Sequence, residues 1–267
     1  MSEVKMKDEK SVNEEKKAKD KKLSVSKILM DLALKSTKFI KDKDEIYCLM
    51  IKNKVRHIYP IKSKDYKNHL TGMYLTKFQL PLKRSVLDEI IDNLEAVNLW
   101  KLGEDEVYNR IAFSEDFIEI DIGDKLWNSI QISKKGWEIK KHKNYLFRSK
   151  SMLELPKPEN SDRNLLIIKH LFRLTEDEYK LIVGWLLGCF MPKGPYPVLI
   201  LQGEQGSGKS TLAKLLRAII DPSNAPSTSF PTKEQDLYIQ AKNNRVLSYD
   251  NQRTLKNSHS DWLCTLS

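Results

Sequence analysis

The chain has 267 residues, 40% hydrophobic and 31% charged, enough for two modest domains that each bury a core. Its 46 basic and 36 acidic side chains give a formal net charge of +10, which favours an anionic partner such as DNA, although acids are interleaved among the lysines almost throughout. Cys48, Cys189 and Cys264 are too scattered for a disulfide framework or a CxxC site, and neither a secretory leader nor a membrane-length apolar run is present, so the expected setting is cytoplasmic with no membrane partner.

Residues 1–25 are dominated by Lys, Glu, Asp and Ser and contain no aromatic side chain, so they read as a disordered charged tail. Residues 26–154 form the first expected unit, an α+β module of unknown role. Within it, 27–38 carries Ile28, Leu29, Leu32 and Leu34 at helical spacing, and the apolar runs 45–51 and 55–61 make a hairpin around Lys52-Asn53-Lys54. Residues 63–74 read as helix. Residues 85–98 read as an amphipathic helix with Ser85 as N-cap and Asp88 three residues on. Short strands follow at 107–113, 117–122, 129–132 and 137–139, punctuated by Gly123 and Gly136. Trp127, Trp137, Tyr145 and Phe147 can stack on bases, but packing within a small sheet is the expected use. The five histidines share no ligand spacing and receive no role.

Two prolines make 155–161 a linker, which marks the expected domain boundary. A helical pair over 162–196 comes next, the first helix capped by Ser161 or Asp162 and the second by a Thr175/Glu178 capping box. The continuous apolar run 197–202 suits a buried parallel strand and opens the last expected unit, 197–267.

Gly203-Glu204-Gln205-Gly206-Ser207-Gly208-Lys209-Ser210 matches GxxxxGK[ST] at every fixed position, with Thr211 continuing into a helix that runs to residue 220. Glycines let backbone N–H groups converge on phosphate oxygens, and the helix N-terminus adds positive potential there. Lys209 is then the cation for the β- and γ-phosphates of ATP, and Ser210 a ligand of Mg2+. Residues 245–251 read as an apolar strand, with Val246, Leu247 and Tyr249 in it and Asp250 at its end, expected as the acidic residue of the Mg2+ site.

The stretch PYPVLILQGEQGSGKSTLAKLLRAIIDPSNAP, with RVLSYDNQ after it and LIVGWLLGCFMP before it, resembles phage- and mobile-element P-loop ATPases related to poxvirus-type primase-helicases and other superfamily 3 helicases. The resemblance implies an AAA+-like αβα domain, homo-oligomeric when complete, serving DNA replication with DNA and replication proteins as partners. Many relatives of this kind place a Glu that activates water beside the strand-end Asp, the catalytic position where Asn251 stands here. Only sixteen residues follow Asn251, so the expectation is a P-loop domain incomplete at its C-terminus that binds Mg-ATP and hydrolyses it poorly. A small-molecule kinase, and a non-catalytic nucleotide-binding interaction module, are the alternatives. The kinase needs an arginine-rich acceptor pocket, for which 211–250 offers only Arg217 and Arg245.

Overall fold

The computed structural model describes residues 25–160, 165–252, 254 and 256–266; all of the expected tail 1–25 but Val25, which is helical, and the expected caps Ser161 and Asp162 lie outside the described residues. Two compact units divide at Val107/Tyr108.

In the first unit, helix α1 (25–36) buries Leu29 and Ala33, one turn apart. It runs directly into β1 (Thr37–Asp42), which joins β2 (Glu45–Lys52) and β3 (Val55–Pro60) in an antiparallel sheet ordered β1-β2-β3. The 27–38 helical reading therefore ran past the helix end, since Thr37 and Lys38 already pair with Met50 and Leu49. The β2–β3 hairpin turns as expected, on Asn53 and Lys54 at φ 52° and 64°, the two left-handed positions that a two-residue hairpin favours.

Two helices cover one face of that sheet. Helix α2 (Lys64–Phe78) is capped by Ser63, whose side chain accepts from the Tyr66 N–H. Helix α3 (Arg84–Lys101) sends Val86, Leu87, Ile90, Ile91 and Leu94 inward. At about 1.5–3 kcal/mol for each fully buried aliphatic side chain, that stripe is what fixes α3. Its start corrects the expected cap: Ser85 lies inside the first turn, and Lys83 stands at the N-cap without a side-chain bond.

At the start of the second unit, the strand expected as one run over 107–113 is broken in two, β4 (Val107–Asn109), which begins on the last residue of the first unit, and β5 (Ile111–Phe113), at Arg110, which has φ 64° and no exposed surface. Strands β6 (Phe117–Asp121), β7 (Asn128–Ser133) and β8 (Gly136–Lys141) extend β5 into an antiparallel meander ordered β5-β6-β7-β8, and β9 (Tyr145–Phe147) pairs with β4. Helices α4 (Leu166–Leu171), α5 (Glu176–Gly188), α6 (Lys209–Ile220), α7 (Glu234–Asn243) and α8 (Asn257–Leu266) complete the unit. The Thr175/Glu178 capping box opens α5 as expected.

Neither expected boundary at 155–161 nor expected strand at 197–202 coincides with this architecture. Leu155 is buried and donates its N–H to Ile122 O at 2.7 Å, so the proline segment is laid along the meander. Ile111, Ile120 and Ile130 of the meander share one core with Ile182, Leu216 and Val246. The run 197–202 is extended but belongs to no strand: Leu199 and Leu201 pack on that core, while Val198 and Ile200 are 55% and 61% exposed. An apolar run sets which side chains turn inward, but a strand also needs a hydrogen-bonding neighbour. A parallel contact between Thr228 and Tyr249 occurs in this unit as an isolated bridge. No described helix is long and apolar enough to cross a membrane.

Candidate nucleotide-binding site

The loop 203–208 leads into α6, whose N-cap is Gly208 at φ 84° with no side-chain cap bond. Gly203 and Gly206 adopt φ 155° and 84°, so all three motif glycines sit where L side chains are strained. A Cβ on Gly203 would stand 3.0 Å from Ser207 Oγ. With no side-chain cap, the first N–H groups of α6 remain available to an anion.

Lys209, the first residue of α6, folds back over the loop. Its Nζ donates to Gly203 O at 2.7 Å, to Glu204 O at 2.5 Å and to Ser207 Oγ at 3.1 Å. The ammonium is therefore held inside the ring of backbone that the motif forms. Ser210, one residue on, donates its hydroxyl to Asp250 Oδ1 at 3.0 Å, joining positions 40 residues apart. Asp250 reaches that place through the Thr228–Tyr249 bridge: Thr228 N donates to Ser248 O, and Asp250 N to Thr228 O, each at 3.0 Å. Asn251 follows at φ 59° and gives its N–H to the same Asp250 Oδ1 at 2.8 Å. The run 245–251, expected as a strand, forms none and makes a single isolated bridge, Tyr249 to Thr228.

Of the residues named from sequence, Gly203, Glu204 and Ser207 bond to Lys209, and Ser210, Asp250 and Asn251 form a second bonded group, the two being joined through the Lys209–Ser210 peptide. Gly206 and Gly208 shape its backbone, Gln205 lies exposed in the turn, and Thr211 is exposed on α6. The donor set suits a hard cation of the Mg2+ type. Such an ion needs only one or two protein oxygens besides phosphate and water, and Ser210 Oγ and Asp250 Oδ1 are hard oxygens already in contact. No cluster of three or more His, Cys, Asp or Glu suited to a metal occurs among the described residues.

Sequence reasoning missed what holds these two segments together. Asp221, 3% exposed at the far end of α6, accepts from Arg245 N at 2.8 Å and Val246 N at 3.3 Å through Oδ2, and from Arg110 Nε at 3.0 Å through Oδ1. One carboxylate thus ties the helix that bears Ser210 to the segment that bears Asp250. Arg217, 4% exposed on α6, donates to Ala225 O and Asn244 Oδ1. Burial pushes its guanidinium below the usual arginine range, with the charge of Asp221 opposing that shift. Arg245 donates to Cys189 O and Met191 O and lies over the rings of Tyr196 and Phe113. The only local signal for this network is an Asp directly after the helix that follows the motif.

Residues 164–267 match the model of an actinomycete integrative conjugative element replication protein family. The matched stretch contains the whole loop, α6 and Asp250. It supports a mobile-element replication protein. No curated protein matches the chain.

Proposed function

We propose that the second unit binds Mg-ATP in the loop 203–210 and serves replication of a mobile element as a P-loop ATPase of low turnover. The 3.0 Å contact between Ser210 Oγ and Asp250 Oδ1 carries the reading, because a tight turn alone has no need of a distant carboxylate on the first turn of its helix. Gly203, Gly206 and Gly208 give the backbone room to approach phosphates. Lys209 supplies the charge for the β- and γ-phosphates, and Ser210 and Asp250 hold the cation, which would neutralise charge on the transferred phosphoryl group when bound. Asn251 offers a carboxamide that can orient water but cannot take its proton, so hydrolysis is slow.

The kinase alternative has less behind it. Both arginines between the loop and Asp250 are spent on backbone carbonyls and Asn244, which leaves no arginine pocket for an acceptor. Titration with a fluorescent ATP analogue tests the proposal. Saturable binding that strengthens with Mg2+ and disappears in Lys209→Ala is the expected result, and no Mg2+-dependent binding at millimolar nucleotide would overturn it.

A further inference from the structure

Charge is concentrated in one part of the second unit that the nucleotide site does not use. Residues 125–150 hold seven lysines and one arginine against a single glutamate, most of the formal net charge of +10 of the whole chain. The β7–β8 hairpin lies at the centre of this segment. Strand β8 is the outer strand of the meander, and all six of its residues are exposed.

Register places an apolar row on one face of the hairpin. Ile132 pairs with Trp137 and Ile130 with Ile139, continuing the row that begins at Ile120 in β6. At its inner end this row enters the core; at its outer end Ile132, Trp137 and Ile139 remain 38%, 40% and 37% exposed. The indole N–H of Trp137 donates to Asn160 Oδ1 at 3.2 Å, which fixes the ring on this surface. Exposed lysines border it: Lys134 and Lys135 in the turn, and Lys141 on the same face two residues beyond Ile139, with Lys125 in the approach to β7. At about 3.3 Å per residue the strip from Lys135 to Lys141 is roughly 20 Å long. The one local glutamate, Glu138, points to the opposite face and pairs with Lys140. Glu115 and Asp116 in the β5–β6 turn lie at the same end of the meander as Lys134 and Lys135 and bound the strip there.

From this we infer that the β7–β8 hairpin is a binding surface for single-stranded nucleic acid, with bases stacking on Trp137 beside Ile132 and Ile139 and phosphates meeting Lys134, Lys135 and Lys141. A positive strip with a fixed, exposed aromatic ring is the combination that holds single strands without sequence preference. Lysines on an edge strand also deter self-pairing, but that role calls for no exposed tryptophan held in place by a partner. The surface lies outside the 164–267 match and is independent of the nucleotide reading.

The test is anisotropy of a fluorescein-labelled oligothymidylate with the full chain, the Lys134→Glu/Lys135→Glu variant and Trp137→Ala. All substituted side chains are exposed, and unchanged thermal unfolding checks that the variants fold. The charge reversal is expected to weaken binding and to make the slope of log affinity against log salt shallower by about 1.4, the value for two single-strand phosphate contacts. Trp137→Ala should weaken oligothymidylate at least about fivefold while affecting duplex DNA less. Binding that is unchanged in both variants, including binding through the lysine-rich residues 1–24 that every variant retains, would overturn the inference. So would capture of polyglutamate in place of oligothymidylate.

Discussion

Arg110 and Asp221, 111 residues apart, form an ion pair with Nε 3.0 Å from Oδ1 and essentially no solvent exposure on either side chain. Three further Arg110 N–H groups donate to Asp121 O, Leu153 O and Pro222 O, so acceptors line most of the guanidinium. Burial draws its pKa down, and the neighbouring Asp221 carboxylate works against that shift. The left-handed backbone of Arg110, which splits one expected strand into β4 and β5, is the local conformation that accompanies this inward-turned side chain.

Removing one partner of such a pair leaves a buried charge uncompensated. Asp221→Ala should cost about 3–5 kcal/mol in urea unfolding, whereas Arg110→Met with Asp221→Leu should cost less than the two single changes added together. Because Asp221 also accepts from Arg245 N and Val246 N, the single variant should also loosen the segment bearing Asp250, read as faster amide exchange at Val246.

The local features were the legible ones. Asn53-Lys54 announced a hairpin, Thr175 and Glu178 a helix start, and the glycines before Lys209 a tight turn into a helix, because each is decided by a few adjacent residues. What depended on distant partners could not be read. Pro156 and Pro158 do forbid helix, but whether such a segment separates two cores or lies along one is settled by Leu155 packing under Ile122, and the strand expected at 197–202 needed neighbours that sequence cannot supply. Asp250 was reached from its position after an apolar run. Asp221 and Arg110 were not, because a buried charged pair leaves no periodic trace.

Gly203 and Gly208 occupy backbone that penalises any other residue by about 1–2 kcal/mol. Gly208→Ala should therefore lower stability by about that amount. Gly203→Ala adds a Cβ 3.0 Å from Ser207 Oγ, the group that accepts from Lys209, so its nucleotide affinity should fall by more than its stability. Isothermal titration beside thermal unfolding separates the two effects. Equal losses in both would assign the glycines to folding alone.

Acid should unfold the second unit through two carboxylates. Burial by itself would raise the pKa of Asp121, but the His142 ring and the Arg148 guanidinium outweigh it and hold the group well below the usual carboxylate range. Glu119, also raised by burial, is held low by donors from Asn144 N, Ser129 Oγ, Lys143 N and Gln131 Nε2. A depressed native pKa gives stabilisation that is complete above the unfolded value, near about 4, and is lost as pH falls through that value toward the native one. The urea midpoint should therefore hold from neutrality to about pH 5 and decline below it. Glu119→Gln places an amide among donors, so it should cost about 1.5–3 kcal/mol at neutral pH, with the gap to the unmodified chain narrowing in acid. A gap that stays constant down to pH 3 would show that Glu119 does not carry the acid dependence.

The contact between Ser210 and Asp250 can be a structural hydrogen bond or the two protein corners of a cation site, and the two readings separate on Mg2+ dependence. A plain hydroxyl–carboxylate bond at 3.0 Å is worth about 1 kcal/mol, and Ser210→Ala would cost that much stability with nucleotide binding unmoved. A cation site behaves otherwise. Ser210→Ala and Asp250→Ala should each abolish the strengthening that Mg2+ gives to ATP-analogue binding while leaving the Mg2+-free affinity near that of the unmodified chain, since the loop backbone and Lys209 remain. The double variant should be no weaker than either single one, because either change already removes a corner of the same site. Titrations with and without EDTA on the four proteins give the full cycle. Independent, additive losses, or losses of equal size with and without Mg2+, would assign the pair to structure and leave the loop without its cation.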